Sequence, residues 1–363
     1  MSKITSIGTA VPQFKQQQME IFDVVKSAHA HTPVEERALR FMYKSSGIDT
    51  RYSVIPDFGT GNNLAEIFSV NGVVKTENLE KRLEIYEKNA LTLSAEAIEK
   101  CISGKIDPSE ITHLITVSCT GMQAPGIDLA IIKSLGLRKN IYRTSVNFMG
   151  CYAAIHGLKQ AYYIAEKEPG AKVLVVCVEL CTLHFQKDRT IDNITSTIIF
   201  SDGAAAVLIE GNNSAREGWQ IEGFYSDISF EGLDDMAWKI SSDGFLMTLT
   251  SNVPDILEQN CDAVIKDALQ HYGLHNKNVS SWCIHPGGKR ILEAIEKGSP
   301  ITKDEMKESY EVLSQYGNMS SPTILFVLEK IMNRAKADTE IKNTVGMAFG
   351  PGLTLETFYL TNA

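Results

Sequence analysis

The sequence predicts an α/β protein whose helices and sheets stack in layers around an internally duplicated core. Three observations support this: the chain has 363 residues, 44% of them are hydrophobic, and short β-branched runs alternate with helical patterns along it. A single hydrophobic core usually stops growing at roughly 250–300 residues, so two similar units are expected. The alternation of strands and helices predicts a mixed sheet covered by helices.

The middle of the chain supplies the first set of predicted elements. Strands are predicted where apolar and β-branched residues run together, and helices where apolar residues recur every three to four positions. One helix must stop at Pro169-Gly170, because proline cannot continue it. In chain order the predictions are a strand at 111–119, a helix at 126–135, a strand at 141–148, a helix from 152 to that stop, and a strand at 171–180.

The C-terminal part repeats this plan with slight sequence identity to the first. A strand and a glycine loop precede a helix, a polar turn precedes a second helix, and a glycine-interrupted strand pair closes the chain. The predicted halves are residues 1–220, with a cysteine in the turn before a core helix, and residues 221–363, with an asparagine in the corresponding turn. Two halves packed face to face would bring these turns together, where ligand sites tend to form.

Composition narrows the functional classes. The net charge of −9 and the pI near 5.5 give no broad cationic surface that could follow a phosphate backbone, so nucleic acid is not an expected partner. No stretch approaches the roughly 18 uncharged apolar residues of a membrane span, and residues 1–12 lack the pattern of a signal peptide, so a cytoplasmic protein with no membrane partner is expected. Seven cysteines, an odd number without a CxxC pair, indicate reduced thiols and no metal centre.

Cys151 is the candidate nucleophile. It follows a predicted strand and Gly150, and the small residues Ala153 and Ala154 open the next helix. Its sulfur is therefore expected at a helix N-terminus, where the thiolate is favoured. A buried, unreactive thiol is the ordinary alternative for any single cysteine.

Two further residues complete a candidate catalytic site. His285 ends an apolar strand, and the glycines that follow Pro286 leave room for a ligand to approach the backbone. Asn318 lies just before a helix. Each has an ordinary alternative, since loops often hold hydrogen-bonded histidines and asparagine is a preferred helix cap. With Cys151 they suit acyl transfer, because a thiolate attacks a thioester while imidazole and carboxamide N–H groups stabilise the oxyanion or enolate.

Around these residues the sequence resembles the type III polyketide synthases, the chalcone-synthase-like branch of the thiolase superfamily. The resemblance implies the thiolase-like αβαβα layered fold with internal duplication. It covers most of the chain, and its motifs follow the order and spacing of the family. They are residues 148–151 (FMGC), 200–203 (FSDG), 281–288 (SWCIHPGG), 315–321 (QYGNMSS) and 349–356 (FGPGLTLE).

The resemblance implies a mechanism. Cys151 would accept a starter acyl group from coenzyme A, and His285 with Asn318 would hold malonyl-CoA through its thioester carbonyl while carbon dioxide leaves. The enolate would attack the Cys151 thioester, and repeated extension with cyclisation would give a pyrone, a resorcinol or a related polyketide. His285 could also support the Cys151 thiolate as an imidazolium. No cofactor beyond the coenzyme A of the substrates is implied, and such families usually form homodimers.

The resemblance also indicates residues that shape the cavity. Phe200 matches an aromatic residue of the family at the junction of the coenzyme A tunnel and the cavity, and Met247 replaces a second phenylalanine. Trp238 stands where a small residue is common, so the product of the plant enzymes cannot be transferred to this chain. His184 is predicted to line the cavity, and whether it assists cyclisation is left open. The other predicted lining residues are Cys119, Thr120, Cys181 and Ser320.

Two cations and one turn carry further expectations. Lys44 and Arg51 fall in the segment that resembles the coenzyme A entrance, where cations would suit a phosphorylated nucleotide, although solvated surface residues are the alternative. The turn at 122–125 (MQAP) is a candidate dimer contact.

There are three alternative functions: the first is the runner-up, the duplicated plan and the HPGG loop disfavour the second, and the intact Cys151, His285 and Asn318 argue against the third. A condensing enzyme like ketoacyl synthase III carries the same three residue types within different motifs and should prefer a carrier-protein thioester. A papain-like hydrolase also uses cysteine, histidine and asparagine, but it would not release carbon dioxide from malonyl-CoA. A binding or scaffold protein could keep the fold without activity.

Overall fold

The computed structural model describes residues 1–59 and 78–362. In this part the strands form one large mixed sheet and two small sheets. They are β1 (Lys3–Ala10), β2 (Phe14–Gln17), β3 (Thr50–Ser53), β4 (His113–Ser118), β5 (Tyr142–Asn147), β6 (Lys172–Leu180), β7 (Asp202–Glu210), β8 (Trp219–Ile228), β9 (Met236–Ser241), β10 (Gly244–Leu249), β11 (Ser281–Ile284), β12 (Asn343–Gly350) and β13 (Thr354–Thr361). The large sheet has the order β11-β12-β13-β8-β1-β7-β6-β4-β5, while β2 pairs with β3 and β9 with β10.

The helices begin and end where local sequence signals favour it. Thr32 caps one of them and forms a reciprocal capping box with Glu35, and another ends at Gly136, whose φ is 65°. The helices are α1 (Gln18–His29), α2 (Pro33–Ser45), α3 (Leu79–Ile102), α4 (Ile127–Leu135), α5 (Ala153–Lys167), α6 (Ile191–Ile199), α7 (Val253–His271), α8 (Lys289–Gly298), α9 (Lys307–Tyr316) and α10 (Thr323–Ala335). The predicted elements at 111–180 are confirmed as β4, α4, β5, α5 and β6.

The strand pairing repeats between the two parts of the chain. In the first part β4 runs parallel to β6, β6 antiparallel to β7, and β7 antiparallel to β1. In the second part β11, β12, β13 and β8 repeat the same series of directions. The corresponding strands β1 and β8 meet through two residue pairs only. This repetition confirms the predicted duplication, whereas the boundary at residue 220, which falls in β8, stays a prediction.

The helices complete five layers. α5 contacts β4, β5, β6 and β7 of the first part and also β13 of the second, while α10 contacts β11 as well as β1 and β7. These two helices therefore lie between the two parts of the sheet. α3 packs on β1, β6 and β7, and α7 packs on β8 and α8. The order is the predicted αβαβα, and residues such as Leu158 and Leu328 of the central helices are buried in one shared hydrophobic cluster.

Two findings bear on the expectations from composition. Among residues 1–59 and 78–362, no helix combines the length and apolarity needed to cross a membrane. None of the seven cysteines forms a disulfide bond, and each of them except Cys151 is buried.

Candidate active site

The turn that carries Cys151 is sharply bent. Between β5 and α5 the backbone has φ values of 61° at Phe148 and 83° at Gly150, and such strained conformations concentrate at functional sites. The Gly150 N–H donates to Cys119 Sγ at 3.0 Å. A β-carbon on Gly150 would lie 2.3 Å from Cδ of Pro351, so only glycine allows this contact. Cys151 is thereby held half-buried, two residues before α5.

Asn318 lies in a turn that is anchored to the end of α6. Its N–H donates to the Ile199 carbonyl at 2.9 Å. Its side-chain oxygen accepts from the Ser320 N–H at 2.8 Å, which leaves the amide nitrogen to donate. That nitrogen lies 3.1 Å from the Gly287 carbonyl oxygen and 3.9 Å from Cys151 Sγ. The Asn318 amide nitrogen therefore lies close to the candidate nucleophile, while its predicted role toward the thioester carbonyl of malonyl-CoA stays a prediction.

His285 follows β11 and is held by backbone bonds. Its N–H donates to the Met347 carbonyl at 2.8 Å, and its own carbonyl accepts from the Gly287 N–H at 3.0 Å. Gly287 lies beside the imidazole ring, because a β-carbon on this glycine would be 4.0 Å from His285 Nε2. The residue is 2% exposed, and within the described part of the chain neither ring nitrogen has a hydrogen-bond partner. Burial lowers the pKa of His285 to about 3, so its imidazole is neutral.

The Cys151 thiol is also neutral in this state. Burial raises its pKa to about 11, against the effect of the Ser320 hydroxyl and the Asn318 amide, which both lower it. Burial therefore outweighs the benefit of the helix N-terminus that the sequence suggested. A reactive thiolate in this site needs a group that takes the proton.

A cavity of about 460 Å³ brings Cys151, His285 and Asn318 together, a volume typical of small-molecule sites. Phe200, Trp238 and Met247 also line it, as predicted. Apolar side chains make up most of the remaining wall: Phe41, Met42, Ile191, Ile198, Ile199, Met236, Ala237, Leu249, Val253, Pro254, Ile291, Phe349 and Pro351. The wall suits the hydrocarbon part of an acyl group.

The other predicted lining residues lie behind this wall. Cys181 and Ser320 are almost completely buried, and the Cys119 sulfur is used by the nucleophile turn. The Thr120 hydroxyl lies 3.1 Å from His184 Nε2. His184 itself packs behind Trp238, with 4.7 Å between ring centroids.

The two predicted cations occupy different positions. Lys44 is exposed on α2, but Arg51 is only 4% exposed. The Arg51 guanidinium donates to the carbonyls of Thr197 and Phe200, each at 2.6 Å, and to Gln18 Oε1 at 2.8 Å. The structure thus corrects the expectation for Arg51: these bonds hold β3 to the end of α6, and the charge does not lie at the cavity entrance.

Sequence reasoning missed three residues of the site. Lys289 and Arg290 line the cavity at the start of α8, and the signal was available, because they follow the motif that contains His285 directly. Glu179 is completely buried, and its carboxylate accepts the Cys119 N–H at 2.9 Å on both oxygens. An acidic residue at the end of an apolar strand was the available signal for Glu179. Within the described residues no group of three potential ligands is arranged to hold a metal ion.

The sequence also matches family models over most of its length. Residues 1–213 match the N-terminal domain of the chalcone and stilbene synthases, and residues 229–363 match the C-terminal domain of the same family. The gap between the two matches, residues 214–228, contains the whole of β8, with which the repeated strand pattern begins again.

Relatives and solved structures agree with this match. The chain is 29% identical over 359 residues to the alpha-pyrone synthesis polyketide synthase-like Pks18 of Mycobacterium tuberculosis, covering 97% of this chain and 89% of that one. It is also 28% identical to probable polyketide synthase 1 of Dictyostelium discoideum. This match includes 99% of this chain but only 11% of that much longer protein.

Two crystal structures have the same fold. PKS-I from the brown alga Ectocarpus siliculosus superposes with a TM-score of 0.91 at 27% identity, covering 100% of this chain and 98% of the other. The C-terminal type III polyketide synthase domain of Steely1 from Dictyostelium superposes with a TM-score of 0.89 at 26% identity, covering 99% of both chains. The fold is therefore thiolase-like, and the chain belongs to the chalcone and stilbene synthase family as a type III polyketide synthase.

Proposed function

We propose that this chain loads an acyl-CoA starter on Cys151, extends it with malonyl-CoA and releases a cyclised polyketide, a pyrone or a resorcinol. One observation carries the proposal. The Asn318 amide nitrogen lies 3.9 Å from Cys151 Sγ at the wall of an apolar cavity that His285 also lines. A nucleophile, a neutral base and an aimed donor are the groups that acyl transfer and enolate stabilisation need.

Starter loading begins with a proton transfer. The neutral imidazole of His285 has no hydrogen-bond partner in the described part of the chain, so it can accept the Cys151 proton. The resulting imidazolium stabilises the thiolate, which offsets the cost of burying both charges. The thiolate attacks the carbonyl carbon of the starter thioester, the bond from this carbon to the coenzyme A sulfur breaks, and the imidazolium returns its proton so that coenzyme A leaves as its thiol.

Extension uses the same residues as donors. The amide of Asn318 and an N–H of His285 would bind the thioester oxygen of malonyl-CoA, whose negative charge grows as carbon dioxide leaves. Donors that act on this charge favour the transition state over the bound substrate. Loss of one such donor typically costs about 3 kcal/mol. The enolate then attacks the acyl group on Cys151.

The coenzyme A part of the substrates would lie at the start of α8. Lys289 and Arg290 line the cavity there, and Lys44 is exposed on α2, whose Phe41 also lines it. Ammonium and guanidinium groups suit the phosphates of coenzyme A. Lys289 and Arg290 thus take the phosphate-binding role that was expected of Arg51, which is buried.

We also propose a cytoplasmic homodimer without a resident cofactor. Seven unbonded cysteines support a reducing compartment. β5 is the last strand of the large sheet, and its residues from Tyr142 to Ser145 are exposed. A second copy of the chain would cover this edge, with which no further described strand pairs. Met122, in the turn predicted as a contact, is 41% exposed.

The test is product analysis with labelled substrate. Purified protein is incubated with ¹³C-malonyl-CoA and short, aromatic and long-chain acyl-CoA starters, and products are identified by mass spectrometry. We expect labelled pyrones or resorcinols from at least one starter, and their loss in Cys151→Ala. The matched control is Cys101→Ala, which removes a fully buried thiol elsewhere in the fold. Extension only with carrier-bound malonate would instead support the ketoacyl synthase alternative.

A further inference from the structure

A hydrogen-bonded chain connects three completely or nearly buried residues behind the active-site cavity. The carboxylate of Glu179 accepts from the Thr120 hydroxyl at 3.2 Å and from the Ser321 hydroxyl at 2.9 Å. The Thr120 oxygen also lies 3.1 Å from His184 Nε2 and accepts from the Leu180 N–H at 3.3 Å. These contacts determine which atom carries the proton in each hydrogen bond of the chain.

The direction follows from donor and acceptor counts. Burial raises the pKa of Glu179 to about 7, so at pH 8 its carboxylate is ionised and can only accept. The single hydroxyl proton of Thr120 then points to Glu179, and the Thr120 oxygen accepts from its other neighbours. His184 Nε2 must therefore carry a proton. In this tautomer His184 Nδ1 is a bare acceptor.

His184 Nδ1 is buried and has no partner in the described part of the chain. His184 is 8% exposed and lines a small rear pocket of about 10 Å³, room for about one water-sized oxygen. Other polar side chains of this pocket are already bonded: Gln186 Nε2 donates to the Phe245 carbonyl at 3.0 Å, and the Ser196 hydroxyl donates within α6 at 2.6 Å. A buried acceptor without a partner is costly, so a hydroxyl donor is the expected occupant.

The rear pocket adjoins the active-site cavity. Phe200, Trp238 and Met247 line both spaces. Met247 is a flexible side chain that can give way to a ligand. The indole N–H of Trp238 is also buried without a partner among the described residues. A polyketide chain in the main cavity can thus place one oxygen against this wall.

We propose that His184 accepts a hydrogen bond from an enol hydroxyl of the folded polyketide and removes its proton during ring closure, with Thr120 and Glu179 as positioning residues. The inference rests on the synthase function proposed above. In pyrone formation the enol oxygen attacks the carbonyl carbon of the Cys151 thioester. A C–O bond forms and the C–S bond breaks. His184 Nδ1 takes the enol proton, which then passes to the Cys151 thiolate.

The relay also stabilises the protonated imidazole. As His184 Nδ1 gains its proton, Nε2–H donates to Thr120, and Thr120 donates to the charge of Glu179, as carboxylates do when they orient a catalytic histidine. The charge of Arg82 opposes this protonation, and burial does so more strongly. The proton is therefore held only briefly, which suits a group that must return it.

The experiment measures the ratio of labelled pyrone to labelled open-chain acid at pH 8, made from ¹³C-malonyl-CoA and a starter that the natural protein extends. The variants are His184→Phe and Thr120→Val, which keep similar volume, and Thr120→Ser, which restores the hydroxyl. Thr116→Val is the matched control, because the Thr116 hydroxyl is buried but bonded to Ser145 Oγ at 3.0 Å. Circular dichroism and thermal unfolding check the fold.

We expect the ratio to fall by about a hundredfold or more in His184→Phe, the lower end of the range for loss of a general base, and to fall clearly in Thr120→Val as well. Thr120→Ser and Thr116→Val should match the natural protein. An unchanged ratio in folded His184→Phe or Thr120→Val would overturn the proposal and leave only a water in the rear pocket. If His184→Phe does not fold, Thr120→Val decides. Absence of any labelled extension in the natural protein would instead contradict the synthase function.

Discussion

Cys151 and His285 show how one proton can change the chemistry of a site. Separately, burial holds both side chains neutral, with the pKa of the thiol raised to about 11 and that of the imidazole lowered to about 3. Moving the proton from sulfur to nitrogen replaces two neutral groups by an ion pair in one cavity, where opposite charges attract strongly. The reactive thiolate therefore depends on both residues, Cys151 and His285.

This view predicts the pH dependence of Cys151 alkylation. Only the thiolate reacts, so the rate rises with pH up to the pKa of the thiol and is constant above it. His285→Gln removes the proton acceptor and leaves burial uncompensated, so the midpoint should move upward, toward about 11. Iodoacetamide labelling of Cys151, followed by mass spectrometry from pH 5 to 10, gives the profile.

The matched control is His113→Gln. His113 is 7% exposed and bonded to the Thr112 hydroxyl at 2.8 Å, at the start of β4. It should keep the profile of the natural protein. Identical profiles for the natural protein and His285→Gln would show that the thiolate forms without the imidazole.

At this scale the sequence indicated residue type better than residue position in space. Cys151, His285 and Asn318 stood in motifs with turns and glycines, and the structure places all three at one cavity. The predicted position of Arg51 at the coenzyme A entrance was wrong, because a charged residue in a polar segment gives no sign that it will be buried. Its partners, the carbonyls of Thr197 and Phe200, lie about 150 residues further along the chain.

At the scale of elements, Arg51 connects β3 to the end of α6 and so holds the backbone that carries Phe200. Arg51→Met would leave two backbone carbonyls and the Gln18 oxygen without this donor, so we expect the free energy of unfolding to fall by about 3 kcal/mol. Urea denaturation measures the change. Lys44→Met, an exposed cation on α2, should change stability by no more than about 0.5 kcal/mol.

The outcome also decides between two roles for Arg51. If Arg51→Met were as stable as the natural protein but had a raised KM for the acyl-CoA starter, the guanidinium would belong to the substrate entrance. A loss of stability with similar kinetics in the folded fraction would confirm the structural role.

Elements with strong periodicity were predictable, and others were not. α5 and α10 carry small or apolar residues on several faces, which is typical of helices buried in a central layer. By contrast, β9 and β10 are partly exposed, and their apolar residues do not alternate strictly with polar ones. The family resemblance, and not this pattern, predicted that Trp238 and Met247 would shape the cavity. Tertiary packing, which the local sequence does not encode, places them there.

For the whole molecule, duplication explains why the site lies at the centre. Cys151 precedes α5 and Asn318 lies shortly before α10, and these central helices belong to different repeats that pack against one another. The sequence predicted this meeting from the order of elements alone. It could not predict that the sheets would join through β1 and β8, because that contact is only two residue pairs long.

The proposed homodimer gives a prediction for the edge of the sheet. A symmetric pair of β5 strands would place the same residues of both copies near one another, so Tyr142→Glu combined with Thr144→Glu should bring like charges together. We expect the natural protein to elute with twice the 40.1 kDa mass of one chain and the double variant to shift toward a single chain, as measured by size-exclusion chromatography with light scattering. Phe230→Glu, at a side chain that is 79% exposed in the second half, is the control. A single-chain mass for the natural protein would contradict the dimer, and dissociation by Phe230→Glu alone would move the interface to the second half.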